Sequence, residues 1–380
     1  MVALDGVIQR YEWGSTTSIQ QLVGVPPDGR PAAELWFGAH PDAPSPTTEG
    51  ATLDAVIAGD PQRALGDAVL ERFGPRLPFL LKVLAADTAL SIQVHPDLEQ
   101  AQAGFAAEDA AGVARAAPNR NYRDANHKPE LICALSPFEA MCGFRPVEHI
   151  RQVLDGLALP ELGFLTAALS GSDPLRDAFT AVLRHADPVA LSRAVAARLE
   201  ILGDAPRRDD VLRGARLAAR DFPGDIGVVV ALLLNYVRLD PGEAIYLGAG
   251  NVHSYLRGTG VEIMANSNNV LRCGLTSKHI DVPELVRITD FTPLVGPRMP
   301  AVDGTFDVAV RDFRLTRLEI DDVLTVDDPG PCIILCASGE AAVGDVPVPA
   351  GRAVFVPAAD PPIRLAATRP ALVFVAGTRA

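Results

Sequence analysis

The sequence predicts a mainly β chain interrupted by an inserted helical block, on three observations. From residue 1 to about 145, short apolar runs such as Leu77 to Ala86 and Leu131 to Leu135 are broken by Pro and Gly, as strands joined by loops are. From about 146 to 223 the apolar spacing becomes helical. After Pro241-Gly242 the strand pattern returns, and past about residue 310 turn signals recur at short intervals, Ser338-Gly339-Glu340 and Pro349-Ala350-Gly351 among them, which suits a barrel or sandwich.

Length and composition bound the problem. At about 150 residues per domain, 380 residues make two or three domains. With 48% apolar and 21% charged residues the chain is globular rather than disordered. Its 34 basic and 47 acidic side chains give a net charge of −13, which repels a polyphosphate backbone and excludes nucleic acid as a partner. The longest apolar stretch, Ile226 to Leu234, is far short of the roughly 20 residues of a membrane-spanning helix. No export signal is visible at the N-terminus, so a cytoplasmic location is expected. The cysteines (Cys133, Cys142, Cys273, Cys332, Cys336) form no CxxC pair and read as reduced core residues.

Taken in order, the elements place chemistry at strand ends. In Leu90-Ser91-Ile92-Gln93-Val94-His95-Pro96, a period of two puts Ser91, Gln93 and His95 on one face, and Ile92 and Val94 on the other. Pro96 lacks a ladder donor and ends the strand, leaving His95 at a rim. Lys82 lies inside the apolar run Phe79 to Leu84, where an ammonium needs an anionic partner. Asn126-His127-Lys128-Pro129-Glu130 runs directly into the next apolar strand and sets ionisable groups at the edge of a buried sheet.

In the middle block, Asp173-Pro174 is an N-cap with Pro at N1, followed by Leu175, Ala178, Phe179, Val182 and Leu183 on one stripe. Asp187-Pro188 repeats the device ahead of Leu191, Val195, Leu199 and Leu202. Beyond it, Pro241-Gly242, a strand, the bend Gly248-Ala249-Gly250 and then His253 are how a small barrel of the cupin type brings an imidazole into its lumen. Glu262 and Met264 share a strand face, and Arg272 and Lys278 are the basic residues of the polar run 266–278.

Gln93, His95, Glu130 and His253 together offer two imidazoles, a carboxylate and an amide oxygen. That set suits zinc or another borderline divalent ion and leaves it able to accept a substrate oxygen.

The segments LPFLLKVLAADTALSIQVHPD (77–97), NHKPELICAL (126–135), FEAMCGFRP (138–146) and PGEAIYLGAGNVHSYLRGTGVEIMANSNNVLRCGLTSKH (241–279) closely resemble the zinc-dependent type I mannose-6-phosphate isomerases, as do YEWGS (11–15) and AELWFGAHPDAPS (33–45). The resemblance implies cupin-like (jelly-roll) β-barrel domains plus a helical domain. Residues 1–145 and 224–300 would form the catalytic unit, 146–223 the helical insertion, and 301–380 a second cupin-like unit without metal, since every histidine precedes it.

It also implies one zinc ion on Gln93, His95, Glu130 and His253, and aldose–ketose isomerisation of mannose 6-phosphate to fructose 6-phosphate through an enediol. Arg272, Lys128 and Glu262 would act in catalysis, with Lys128 and Glu262 ahead of His127 as acid–base groups. Ser91, Lys82, His127 and Lys278 would bind substrate. The partner is a small sugar phosphate, with neither nucleic acid nor membrane, on a monomer or weak oligomer.

One position departs from the pattern. Many relatives carry an aspartate where this chain has Asn268, so Glu262 or the substrate itself must balance Arg272. Two rival readings are a cupin-type iron oxygenase, which also uses two histidines and a carboxylate, and a non-catalytic sugar-phosphate sensor. The glutamine ligand and the nearby basic residues argue against the oxygenase.

Overall fold

A computed structural model describes residues 1–203, 210–326, 330–360 and 362–379. Two antiparallel sheet systems and a helical layer make up the molecule. In the first system the long strand His253–Ala265 pairs with Phe79–Ala86 and Glu130–Ala134 along one half and with Phe138–Phe144 and Ile92–Val94 along the other, so one strand ties two sheet halves together. In the second, Cys332–Val343 and Ile363–Gly377 pair centrally, flanked by Ala353–Val356 and Arg314–Ile320.

Side-chain alternation explains how the two systems join. On Phe79–Ala86, Leu81, Val83 and Ala85 belong to the same apolar cluster as Phe306, Leu315, Leu335 and Phe374 of the second system. Removing each such Leu or Phe from water stabilises the junction by about 1.5–3 kcal/mol. The alternate residues, Leu80, Lys82 and Leu84, face the other way: Leu80 packs on Trp36 and Met264, and Leu84 lies in a cluster with Phe138 and Tyr255. Lys82, the polar residue of this strand, therefore projects from the face that turns away from the second system.

The helical insertion is present where the spacing predicts it. Pro174–Leu183 buries Leu175, Ala178, Phe179 and Val182, and Pro188–Leu202 starts with Asp187 Oδ1 accepting from the Ala190 amide at 2.9 Å. Their apolar stripes share a core with Ile92 and Val94, the buried face of the strand that carries Gln93. Positions 204–209 of the predicted block lie outside the described residues.

Three expectations need correction. Residues 1–145 contain helices as well as strands, at Leu53–Gly59, Pro61–Phe73 and Leu98–Ala110. The last is opened by a capping box, Asp97 with Gln100. Ser338-Gly339-Glu340 is no turn but an irregularity within the strand Cys332–Val343. Gly339 has φ +78° there, and a Cβ on it would collide with the Pro370 carbonyl oxygen, so only glycine lets the two strands approach. The first strand, Val2–Leu4, joins the second sheet system beside Ala353–Val356 rather than the first.

Candidate active site

Three strand ends converge on one point. Gln93 lies directly across from His253 on one neighbour and from Arg272 on the other, so their side chains share a face. Glu130 opens the strand Glu130–Ala134, opposite Met264 of His253–Ala265. The result is a buried cluster of His95, Glu130 and His253 whose donor atoms lie within 4.8 Å of one another.

The hydrogen bonds of this cluster state what it is for. His95 Nδ1 donates to the Asn269 carbonyl at 2.7 Å and His253 Nδ1 to the Asn251 carbonyl at 2.9 Å. A carbonyl only accepts, so each Nδ1 carries the proton and each Nε2 presents a lone pair. Both Nε2 atoms are buried without a hydrogen-bond partner, and they stand 3.4 Å from Glu130 Oε1 and Oε2 respectively. Two lone pairs aimed at a buried carboxylate repel it unless a cation sits between them. Burial also pushes the His95 imidazole down to about 4, against the pull of Glu130, and so favours the neutral form a metal requires. Two imidazole nitrogens, a carboxylate and the adjacent Gln93 amide fit a divalent ion of zinc type, with the Nδ1 bonds fixing the ring orientations. Lys128 Nζ lies 3.4 Å from Glu130 Oε1, at the edge of the same cluster.

A second buried row runs beside it. Trp36, Lys82 and Glu262 are directly paired across adjacent strands. Lys82 Nζ donates to Glu34 Oε1 at 3.3 Å and to Glu262 Oε2 at 3.2 Å, and Tyr255 OH donates to Glu262 Oε1 at 2.7 Å. The anionic partner that a buried ammonium needs is therefore present in two carboxylates of the protein. Burial alone would lower the Lys82 pKa; Glu34 and Glu262 outweigh it and raise it. Glu262 is raised by burial and by the charges of Glu130 and Glu34, with Lys82 opposing.

Arg272 and Lys278 form a cationic group. Burial and then the charge of Arg123 lower Arg272, while Arg272, burial and Arg123 lower Lys278. Among the described residues Arg272 makes no ion pair. Glu262 is engaged by Lys82 and Tyr255, so of the two balances expected for Arg272 the protein's own carboxylate drops out and the substrate is left. Asn268 does not face Arg272; its Nδ2 donates to Asp42 at 2.9 Å near the surface. Ser91 stands half-buried just before the strand Ile92–Val94. His127 is held elsewhere: its Nε2 lies 3.0 Å from both oxygens of Asp312, a buried residue just before the strand Arg314–Ile320.

Sequence reading missed Asn269, the most connected polar side chain near the cluster. Its Oδ1 accepts from the Arg123 amide at 2.7 Å, and its Nδ2 donates to the carbonyls of Asp124 and Asn126, each at 2.8 Å. Its own carbonyl holds His95. It therefore ties the segment leading to Lys128 and Glu130 to a ligand on another strand. Glu34, Tyr255 and Asp312 were also missed, although Glu34 lies in the AELW motif and Tyr255 in the segment that follows His253.

A cupin-type barrel whose lumen presents a nitrogen–oxygen metal set beside buried acid–base groups defines a metal-dependent cupin enzyme. Residues 1–147 match the family model for the type I phosphomannose isomerase catalytic domain. The chain is 38% identical to the mannose-6-phosphate isomerase of Escherichia coli (strain K12), with 96% of each chain covered, and 34% identical to that of Rattus norvegicus, with 93% and 92% covered. Among solved structures it resembles the apo mannose 6-phosphate isomerase of Salmonella typhimurium, with TM-score 0.91 and 35% identity over 100% of this chain and 99% of that one. A zinc-bound mannose 6-phosphate isomerase matches with TM-score 0.90 and 35% identity over 99% of both chains. The chain belongs to the type I phosphomannose isomerase family.

Proposed function

We propose that this protein interconverts mannose 6-phosphate and fructose 6-phosphate with zinc held by Gln93, His95, Glu130 and His253. The observation that carries the metal assignment is the pair of orphaned Nε2 atoms converging on Glu130. Zinc, when bound, supplies Lewis acidity that draws electron density from a sugar oxygen.

The isomerisation moves a proton between C1 and C2 by way of an enediol, so it needs a group that takes the proton at one carbon and returns it at the other. Glu262 and Lys128 are the candidates, since the raised pKa of Glu262 brings a carboxylate closer to neutral pH, where proton transfer is effective. Lys82 and Tyr255 each occupy one oxygen of Glu262 and hold it in one orientation. Lys82 is accordingly a positioning residue for Glu262 rather than a phosphate ligand. His127, paired with Asp312, braces the segment that carries Lys128. Arg272 and Lys278, mutually repelling and without a carboxylate partner among the described residues, suit the phosphate dianion or the developing enediolate, with Ser91 as a further hydroxyl on the face of Gln93.

The enzyme works on a small sugar phosphate as a monomer or weak oligomer in the cytoplasm. Its five cysteines are free and buried, in keeping with a reducing compartment. Among the described residues no helix is long and apolar enough to cross a membrane.

The test is a coupled assay on mannose 6-phosphate with metal analysis of the same sample. We expect one zinc per chain, activity lost on chelation and restored by zinc. An active, metal-free protein would refute the assignment.

A further inference from the structure

Beside the catalytic lumen lies a cleft of about 950 Å³ whose wall includes Arg72, Arg76, Arg115, Arg123 and Arg311. These arginines come from distant parts of the chain: Arg72 ends the helix Pro61–Phe73, Arg76 follows it, Arg115 and Arg123 flank the segment before Lys128, and Arg311 enters the second barrel. All five are exposed. Among the described residues Arg72, Arg76, Arg123 and Arg311 make no ion pair, and Arg115 makes only a long one, 3.9 Å to Asp109. The three aspartates on the same wall are engaged with partners other than these arginines. Asp42 accepts from Asn268, Asp124 from the Ser267 hydroxyl at 2.9 Å and the Asn268 amide at 2.6 Å, and Asp312 from His127. In a chain of net charge −13 this is a local excess of positive charge.

A concave wall with a net excess of one sign, here five arginines against three aspartates, focuses its field and raises the local concentration of an oppositely charged solute, with steering speeding capture by about 10 to 10³. Arg123 belongs to this wall and also lies close enough to Arg272 and Lys278 to lower both. The cations thus form a path from the cleft to the pair next to the metal cluster.

We propose that the cleft is the phosphate-capture vestibule of the enzyme. Its arginines gather the sugar phosphate dianion against the repulsion of the acidic surface and deliver it along Arg123 to Arg272 and Lys278. The proposal rests on the isomerase reading above. The cleft adds association, not chemistry, so Arg72, Arg76 and Arg311 touch neither the metal cluster nor the acid–base groups. The second barrel acquires a part in substrate recognition through Arg311.

The experiment compares the zinc-loaded wild type with the combined variant Arg72→Gln, Arg76→Gln, Arg311→Gln on mannose 6-phosphate. Ionic strength is varied from about 0.01 M to about 1 M, over which the Debye length falls from about 30 Å to about 3 Å. The variant should keep its zinc, its melting temperature and its kcat. At low salt its kcat/KM should fall about tenfold, the lower end of the steering range. At high salt the two proteins should converge. A variant with wild-type kcat/KM and the same salt slope overturns the proposal. So does a fall in kcat with KM unchanged, which would place these arginines in the reaction or in an effector site. An inactive wild type would instead refute the isomerase reading, and the capture role with it; only the variant can sink capture alone.

Discussion

The two barrels share an architecture and differ in what their strands turn inward. In the first, the inward face carries the row Trp36, Lys82 and Glu262 and, beside it, Glu130, four side chains that are all buried. In the second, the interior cluster consists of Cys332, Ile334, Cys336, Val354, Val356, Val373, Val375 and similar apolar residues. Burying an ionisable group without a partner is costly, so the polar row persists only because its members satisfy one another: Lys82 between Glu34 and Glu262, and Glu130 between Lys128 and two imidazoles. Two Nε2 atoms are left over in that otherwise complete network, and they mark the metal position. Among the described residues the second barrel has no such remainder in its apolar cluster and contributes packing, through Phe306, Leu335 and Phe374, together with Asp312 and Arg311 at the border with the first.

The largest test of this contrast is His253→Ala. It removes one of the orphaned nitrogens and a ligand from an otherwise intact cluster, and should abolish both zinc retention and turnover, read by metal analysis and the coupled assay. Arg272→Ala comes next. An arginine facing developing negative charge typically supplies about 10² to 10³ in rate, so kcat should fall by that much while zinc content and melting temperature stay at wild-type values.

A smaller effect is expected at Asn269, which acts through others. Asn269→Ala unties the 123–126 segment from the residue that orients His95, and loss of such outer support typically weakens metal affinity about 10- to 100-fold. Chelator competition measures it. Asn266→Ala is the control, because Asn266 donates to the Leu77 carbonyl at 2.7 Å in the same loop without contacting His95. Equal losses of zinc affinity in both variants would make the role of Asn269 one of general stability. The smallest effect belongs to the second barrel: Ile334→Val should cost about 0.5–1.5 kcal/mol of stability and leave kcat and zinc affinity untouched. A change in either would mean that the two barrels are coupled more tightly than their interiors suggest.

Much of the site was legible because its ligands sit in short segments whose chemistry stands out from their surroundings: Gln93 and His95 on one strand face, Glu130 at a strand start, His253 after a glycine bend. Their tautomers were not, since these depend on the carbonyls of Asn269 and Asn251. The carboxylate partners of Lys82 were not legible for a related reason: Glu34 and Glu262 are distant in sequence and meet it only through cross-strand register. His127 meets Asp312 across the border between barrels, a contact no local pattern encodes. The alternation in Cys332 to Cys336 did place both sulfurs on the buried face of the second barrel. The strand Val2–Leu4 could not be assigned to a sheet from its own residues, because its partner lies at the other end of the chain.

Anomalous diffraction at the zinc edge, from crystals of the zinc-loaded protein, tests the difference between the barrels most directly. One peak is expected, at about 2.0–2.2 Å from His95 Nε2, His253 Nε2 and an oxygen of Glu130, with the Gln93 amide oxygen completing the set, and no peak inside the second barrel. A peak bonded to Cys332 or Cys336, or a first-barrel peak that leaves both Nε2 atoms uncoordinated, would contradict it.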